Sequence, residues 1–174
     1  MAWDMRSLGP KHLAADLKWE PQRINNFQLN IYGLPGQGTE LVMLSLVNFS
    51  LPEITNDPIN IAHGNTNVKF AGTTQWQGSN TLQVIDYITN DIAKMISDWR
   101  ELVYRQSDDA IGWAANYKKQ GEVTEAGPDG TFYRTWKYEG IWPSGVNYGE
   151  LNYDTQGDVR KIDITLQYDR AYRA

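Results

Sequence analysis

Val159-Arg160-Lys161-Ile162-Asp163-Ile164-Thr165-Leu166-Gln167-Tyr168 is the stretch that decides the fold. Ile162, Ile164, Leu166 and Tyr168 share one parity, while Lys161, Asp163, Thr165 and Gln167 share the other, which predicts a strand with one buried and one wet face. Immediately upstream, Asp154-Thr155-Gln156-Gly157 supplies a turn with glycine where a left-handed residue is wanted, so Glu150 to Tyr153 is expected to pair with 159–168 as a hairpin. Further upstream, Thr131 to Ile141 alternates as another strand, with Phe132, Trp136 and Tyr138 on one parity, and is expected to stop at Trp142-Pro143-Ser144-Gly145.

The one strong helix runs from Asn90 to about Gln106. Asn90 is placed as N-cap with Asp91 in the first turn, and Ile92, Ile96, Trp99 and Val103 form one apolar stripe suited to covering a sheet. Before it, Asn26 to Tyr32 reads as a half-buried strand ending at Gly33-Leu34-Pro35-Gly36, and Thr81 to Ile88 as another. Glu40 to Phe49 is apolar on both parities and reads as a strand covered on both sides, by a helix or by an adjacent subunit. Between Leu51 and Gly78, Ile59 to Ala62 and Asn67 to Ala71 flank Gly64-Asn65, a hairpin signal inside a long projecting loop. Loops longer than about 12 to 15 residues usually serve a purpose. Asp108 to Gly130 reads as irregular, and Met1 to Arg23, with Pro10 and Pro21, as an arm with at most a short helical turn from Lys11 to Trp19. Trp3 and Trp19 either staple that arm to its own domain or dock on a neighbour. About seven strands, mostly in hairpins, and one helix predict a mainly β fold: an antiparallel β sandwich or barrel with one flanking α-helix, spanning 25–174 after an arm at 1–24.

With 174 residues, 41% of them hydrophobic and 12% aromatic, the chain has the make-up of a folded single domain. Its net charge of −5 argues against a surface built to grip nucleic acid, which replaces phosphate counterions with Lys and Arg. The absence of cysteine removes disulfides, thiolate metal sites and thiol nucleophiles. His12 and His63 stand far apart without acidic neighbours at ligand spacing, so neither a metal centre nor a His-based triad is expected. The first twenty residues are punctuated by charges and read as neither a signal peptide nor a membrane span.

Two other classes compete. The carboxylates Asp86, Asp91, Glu139 and Glu150 are the best available candidates for a glycosidase pair, though nothing fixes their separation. Seven tryptophans, Trp3, Trp19, Trp76, Trp99, Trp113, Trp136 and Trp142, offer material for a sugar-stacking platform, but Trp99 and Trp136 fall on core-facing parities. Gly33-x-x-Gly36-x-Gly38 leads into a strand rather than a helix and is a turn, not a phosphate loop.

The last third carries a resemblance. Tyr138-Glu139-Gly140-Ile141-Trp142-Pro143, then Gly149-Glu150-Leu151, then the acidic hairpin and the alternating strand through Tyr168-Asp169, closely resembles the C-terminal signature of tail tube proteins of contractile phages. Asn25 to Tyr32, Phe49-Ser50-Leu51-Pro52 with Ile59 to Thr73, and Asp91 to Trp99 are similar to that family's first strand, long loop and helix. The arm has no counterpart in the family pattern, and Gly33 to Leu44 is enlarged. The resemblance implies hexameric rings stacked into a hollow tube inside a sheath, with no enzyme activity and no cofactor. Either the repeated tube subunit or a baseplate tube initiator of the same fold satisfies it.

From that resemblance follow the expected partners: further copies of the chain, the tail sheath protein, and baseplate and tail terminator proteins. DNA passes the lumen without specific binding, no membrane takes part, and the expected location is the virion tail, assembled in the host cytoplasm. The doubly apolar segment gives Val42, Leu44 and Leu46 as candidate subunit contacts. The long loop gives Asn56, Asp57, Asn60, His63, Asn65, Asn67, Lys69 and Trp76 as candidate ring-to-ring contacts. Asp163, Thr165 and Gln167 are expected on the channel wall, where a neutral or acidic lining avoids attracting phosphate.

Overall fold

The computed structural model describes residues 21–76, 78–154 and 157–174. Seven strands form one antiparallel sheet system that bends around an apolar core. Its strands are β1 (Phe27–Tyr32), β2 (Leu46–Phe49), β5 (Ser79–Ile85), β8 (Lys119–Ala126), β9 (Phe132–Asn147), β10 (Lys161–Gln167) and β11 (Arg170–Arg173). The order is β1-β8-β9-β10-β5-β2, with β11 also on β9. β3 (Ile54–His63) and β4 (Thr66–Trp76) form a separate two-stranded ribbon, and β6 (Tyr104–Arg105) with β7 (Ala110–Ile111) a minimal one. Three helices complete the described residues: α1 (Gly38–Ser45), α2 (Ile92–Val103) and α3 (Ala114–Tyr117).

The sixteen-residue β9 is the hinge of the architecture. Its first part pairs with β8 and β11, while Trp142 to Asn147 pairs with β10. The expected stop at Trp142-Pro143 is therefore a corner at which the strand changes partners. Proline tolerates this because the ladder register shifts opposite it, between Thr165 and Leu166. Consequently β10 pairs with β9 and not with Glu150 to Tyr153, which are not in a strand. Thr155 and Gln156 of the expected turn lie outside the described residues, as do the expected helical turn 11–19, Trp3, Trp19 and His12.

Glu40 to Phe49 is not one strand. Gly38, Val42 and Ser45 are buried at spacings of four and three, the helical period, and only Leu46 to Phe49 is extended. A short run that is apolar on every side fits both periods, so the alternation was a poor discriminator. α1 links the two terminal strands β1 and β2, and Thr39 Oγ1 donates to the Ile31 carbonyl of β1 at 2.6 Å. The sheet is thus open, with a helix at its seam, and not a closed barrel. Gly38 allows this placement: a Cβ there would sit 2.6 Å from Leu34 Cβ and 3.1 Å from Met95 of α2.

The second departure is β8, within the segment expected to be irregular. Lys119, Gln120, Glu122 and Glu125 mask its alternation, while Gly121 lies where a Cβ would strike the Ile141 side chain. The other boundaries shift by a few residues: the expected strand 81–88 is 79–85, and the expected helix from Asn90 starts at Ile92 with Asp91 as its N-cap. Asp91 Oδ1 accepts from the Lys94 backbone N–H at 2.8 Å.

The core joins Leu29, Ile31, Val123, Tyr138 and Ile141 to Leu82, Val84, Ile162, Ile164 and Leu166, capped by Ile92, Ile96 and Trp99 of α2. Each large apolar side chain so buried contributes roughly 1.5–3 kcal/mol. Trp99 is buried along its ring, and its Nε1–H donates to the Tyr117 carbonyl at 2.9 Å, so α3 serves to satisfy the indole.

Candidate assembly surfaces

The β3–β4 ribbon is the feature a lone chain leaves unfinished. Its strands pair with each other and with no other strand. They turn at Gly64-Asn65, where Gly64 takes φ +60°, a left-handed value that glycine adopts without a Cβ penalty. The register sets Ile59 opposite Phe70 and Ile61 opposite Val68, so these four share a face. Asn60 opposite Lys69 and Ala62 opposite Asn67 make the other. All four apolar side chains are about half exposed: Ile59 53%, Ile61 52%, Val68 44%, Phe70 52%. A two-stranded ribbon is marginal by itself in water, and an apolar face on it has stabilising work to do only against another surface. Nearer the base, Gln75 Nε2 donates to Asp57 Oδ2 at 2.5 Å, and Trp76 packs against the core.

The candidate residues divide accordingly. Asn56, Asp57, Asn60, His63, Asn65, Asn67 and Lys69 are exposed along this ribbon. Trp76 is half-buried at its root. Leu44 is exposed on α1, and Leu46 is partly buried against the core. Val42, at 1% exposure, belongs to the core, so its candidacy as a subunit contact is withdrawn: the helix turns it inward where a strand would not. Ile59, Ile61, Val68 and Phe70 were missed among the candidates, although their period-two spacing was visible in the pieces that flagged the hairpin.

The polar face of β5 and β10 is a second surface. Ser79, Thr81 and Gln83 stand opposite Gln167, Thr165 and Asp163, and Asp163 stands opposite Asn147 of β9. Gln83 Nε2 donates to Asp163 Oδ1 at 2.7 Å, which occupies one carboxylate oxygen. The result is a face of hydroxyls and amides, with Asp163 hydrogen-bonded and exposed Lys161 on the same parity at its Ile85 end. Thr165 is exposed, while Asp163 and Gln167 are half-buried.

The rival chemistries find less support. Asp86 pairs with Arg160 at 3.2 Å and Asp91 caps α2, so two of the four candidate carboxylates do structural work. One concavity, about 480 Å³, runs between β1 and β2 past Phe27, Val47, Phe49 and Leu51; another, about 290 Å³, lies beside Arg100, Glu101 and Tyr148. Neither is lined by a tryptophan. Among the described residues, no cluster of three or more acidic or histidine side chains is arranged to hold a metal, and no helix is long and apolar enough to cross a membrane.

No family model matches the chain. Over 122 residues it is 24% identical to the tail tube protein of Enterobacteria phage T4, covering 69% of this chain and 74% of that one. It is 25% identical over 91 residues to the tail tube protein of Enterobacteria phage T6, covering 51% and 56%. A chain from the sheath-tube complex of an extracellular contractile injection system superposes with TM-score 0.66 at 18% identity, over 95% of this chain and 97% of that one. The tube-terminating cap of the anti-feeding prophage gives TM-score 0.66 at 16% identity, over 89% and 91%. The chain is thus similar in sequence to phage tail tube proteins and shares its fold with chains of contractile injection-system tubes.

Proposed function

We propose that this chain is the repeated structural subunit of a contractile tail tube, in which copies close into hexameric rings and the rings stack into a hollow conduit. The observation that carries the reading is the free β3–β4 ribbon with Ile59, Ile61, Val68 and Phe70 half exposed on one face. A head-to-tail contact of this kind closes in one direction as a ring and continues in the other as a tube. In this reading the ribbon, with Asn56, Asp57, Asn60, His63, Asn65, Asn67, Lys69 and Trp76, makes ring-to-ring contacts, and Leu44 and Leu46 contribute between subunits. The polar face of Asp163, Thr165 and Gln167 lines the lumen, where DNA or another cargo slides without a basic lining to hold it. The role is structural and not catalytic, exercised in the virion tail or an equivalent device. Its partners are further copies, a sheath, a baseplate and a terminator. Solved relatives drawn from a sheath-tube complex and a baseplate support those partners.

Deleting 58–71 with a short replacement turn tests the reading. The variant is expected to keep its circular dichroism spectrum and lose the rods seen by electron microscopy. Normal tubes from the deletion variant refute it. A terminal position, as tube cap or initiator, is the second reading, favoured by the equal similarity to a tube-terminating cap. That reading requires single rings, never rods, from the intact chain.

A further inference from the structure

We infer that the acceptor for the β3–β4 ribbon is a loop surface at the opposite end of the same sheet on a second copy of this chain, formed by Tyr87, Ile88, Leu151, Tyr153 and Val159. The inference rests on reading the ribbon as a stacking element, and adds the surface that receives it.

Register alone fixes the two ends. β5 begins with Ser79 opposite Gln167 and finishes with Ile85 opposite Lys161. The ribbon joins the body at the Ser79 end, where the Ser50 backbone N–H donates to the Thr81 carbonyl and the Tyr168 N–H to the Gly78 carbonyl, both at 3.1 Å. At the Ile85 end, two loops are tied together. The Asp86 N–H donates to the Arg160 carbonyl at 3.1 Å, and the Arg160 guanidinium reaches Asp86 at 3.2 Å and the Tyr148 carbonyl at 2.9 Å. A strand of seven residues holds these ends roughly 20 Å apart.

Both ends present apolar surface to water. Against the half-exposed ribbon face stand Tyr87 at 45%, Ile88 at 106%, Leu151 at 87%, Tyr153 at 104% and Val159 at 58%. Isolated exposed apolar residues are ordinary, but two groups at opposite ends of one set of strands are not. Complementary patches at opposite poles generate an open-ended stack, whereas patches at one pole would give a closed two-fold pair. Charge agrees with this pairing. Between Pro58 and Ala71 the ribbon carries Lys69 and His63 and no acidic residue. The 148–160 loop carries Glu150, Asp154 and Asp158, and its one basic residue, Arg160, is engaged with Asp86.

The absence of cysteine in the sequence makes the test clean. Ile61→Cys and Tyr153→Cys chains, mixed and oxidised under assembly conditions, are expected to give a 61–153 cross-linked heterodimer that neither gives alone. Cross-linking of Ile61→Cys to Val47→Cys at the β1–β2 groove, in place of Tyr153→Cys, overturns the inference. A Leu151→Asp/Tyr153→Asp chain is expected to stop at single rings. Mixing those rings with rings of the 58–71 deletion is expected to yield ring pairs and nothing longer, because only one competent interface remains between them. Full-length tubes from the Leu151→Asp/Tyr153→Asp chain overturn the acceptor while leaving the ribbon's role standing. Full-length tubes from the deletion chain remove the ribbon's role itself.

Discussion

Strand β10 and the β3–β4 ribbon are written in the same period. Ile162, Ile164 and Leu166 alternate with polar residues as Ile59 and Ile61 do, yet the first three are 0–1% exposed and the ribbon's four apolar residues are about half exposed. β10 sits between two strands and beneath Trp99 and its neighbours, whereas the ribbon has only itself. Alternation therefore says that one face of a strand wants cover, and not who supplies it. In the body of the sheet the cover is intramolecular; in the ribbon the apolar face stays about half exposed.

The largest effect that separates the two regions comes from placing a charge on each apolar face. Ile164→Asp puts a carboxylate at a position 1% exposed with no cation to meet it. The expected cost exceeds about 4 kcal/mol, a large share of the roughly 5–15 kcal/mol that a domain possesses. Thermal melting followed by circular dichroism should show no cooperative transition. A soluble Ile164→Asp protein melting near the parent temperature would mean that β10 is not the centre of the core.

How much of this was legible beforehand depended on how many physical rules agreed at each segment. At 161–168 alternation and length agreed, and the buried set Ile162, Ile164, Leu166 and Tyr168 matches what they predicted, whereas the turn residues at 154–157 pointed to a hairpin with 150–153 that does not form. At 90–106 the stripe named the buried Ile92, Ile96 and Trp99, and the cap was misplaced by one residue because Asn90 and Asp91 are both good caps. At 38–49 both periods fitted, and the helix won through packing at Gly38 and the bond from Thr39, neither of which a period reveals. β8 was hidden because its charged residues and Gly121 are tolerated in the ladder between β1 and β9, a tertiary fact. The ribbon is legible as a hairpin, and the period-two spacing of Ile59, Ile61, Val68 and Phe70 marks its apolar face more clearly than its polar residues do.

A smaller effect concerns the core's aromatic centre. Tyr138 packs edge-on against Phe49 and Tyr168, at centroid distances of 5.6 and 5.4 Å, and its hydroxyl is buried beside Asn80 without a well-formed hydrogen bond. Burial pushes its phenol above the ordinary value of 10.0. The fold thus favours the neutral phenol: the stability this contributes is fully present below about pH 10 and falls as the pH climbs toward the raised folded-state value. Melting temperature should fall above pH 10, and less steeply for Tyr138→Phe, which at pH 7 should lie within about 1 kcal/mol of the parent because no bond is broken. An equally steep alkaline loss in Tyr138→Phe would assign the effect to other groups.

The smallest expected effect on folding is the most informative about the ribbon. Phe70→Ser removes an aromatic side chain, a change that in a core costs about 3–5 kcal/mol. Phe70, however, is 52% exposed and meets Ile59 across a ribbon that pairs with no other strand. The loss is then a cross-strand contact of roughly 0.2–1 kcal/mol, confined to an element whose opening need not open the sheet. For a chain of this size that is a shift of only about 1–4 °C in melting temperature. Assembly should respond in the opposite proportion, because Phe70 recurs in every copy and the same deficit is repeated at each contact along a tube. Calorimetry on the dispersed chain and sedimentation of assembled material read the two quantities separately. A fall of 10 °C or more with tubes intact would reverse the assignment: the ribbon would be packed into its own domain, and its half-exposed face would have nothing to do with neighbours.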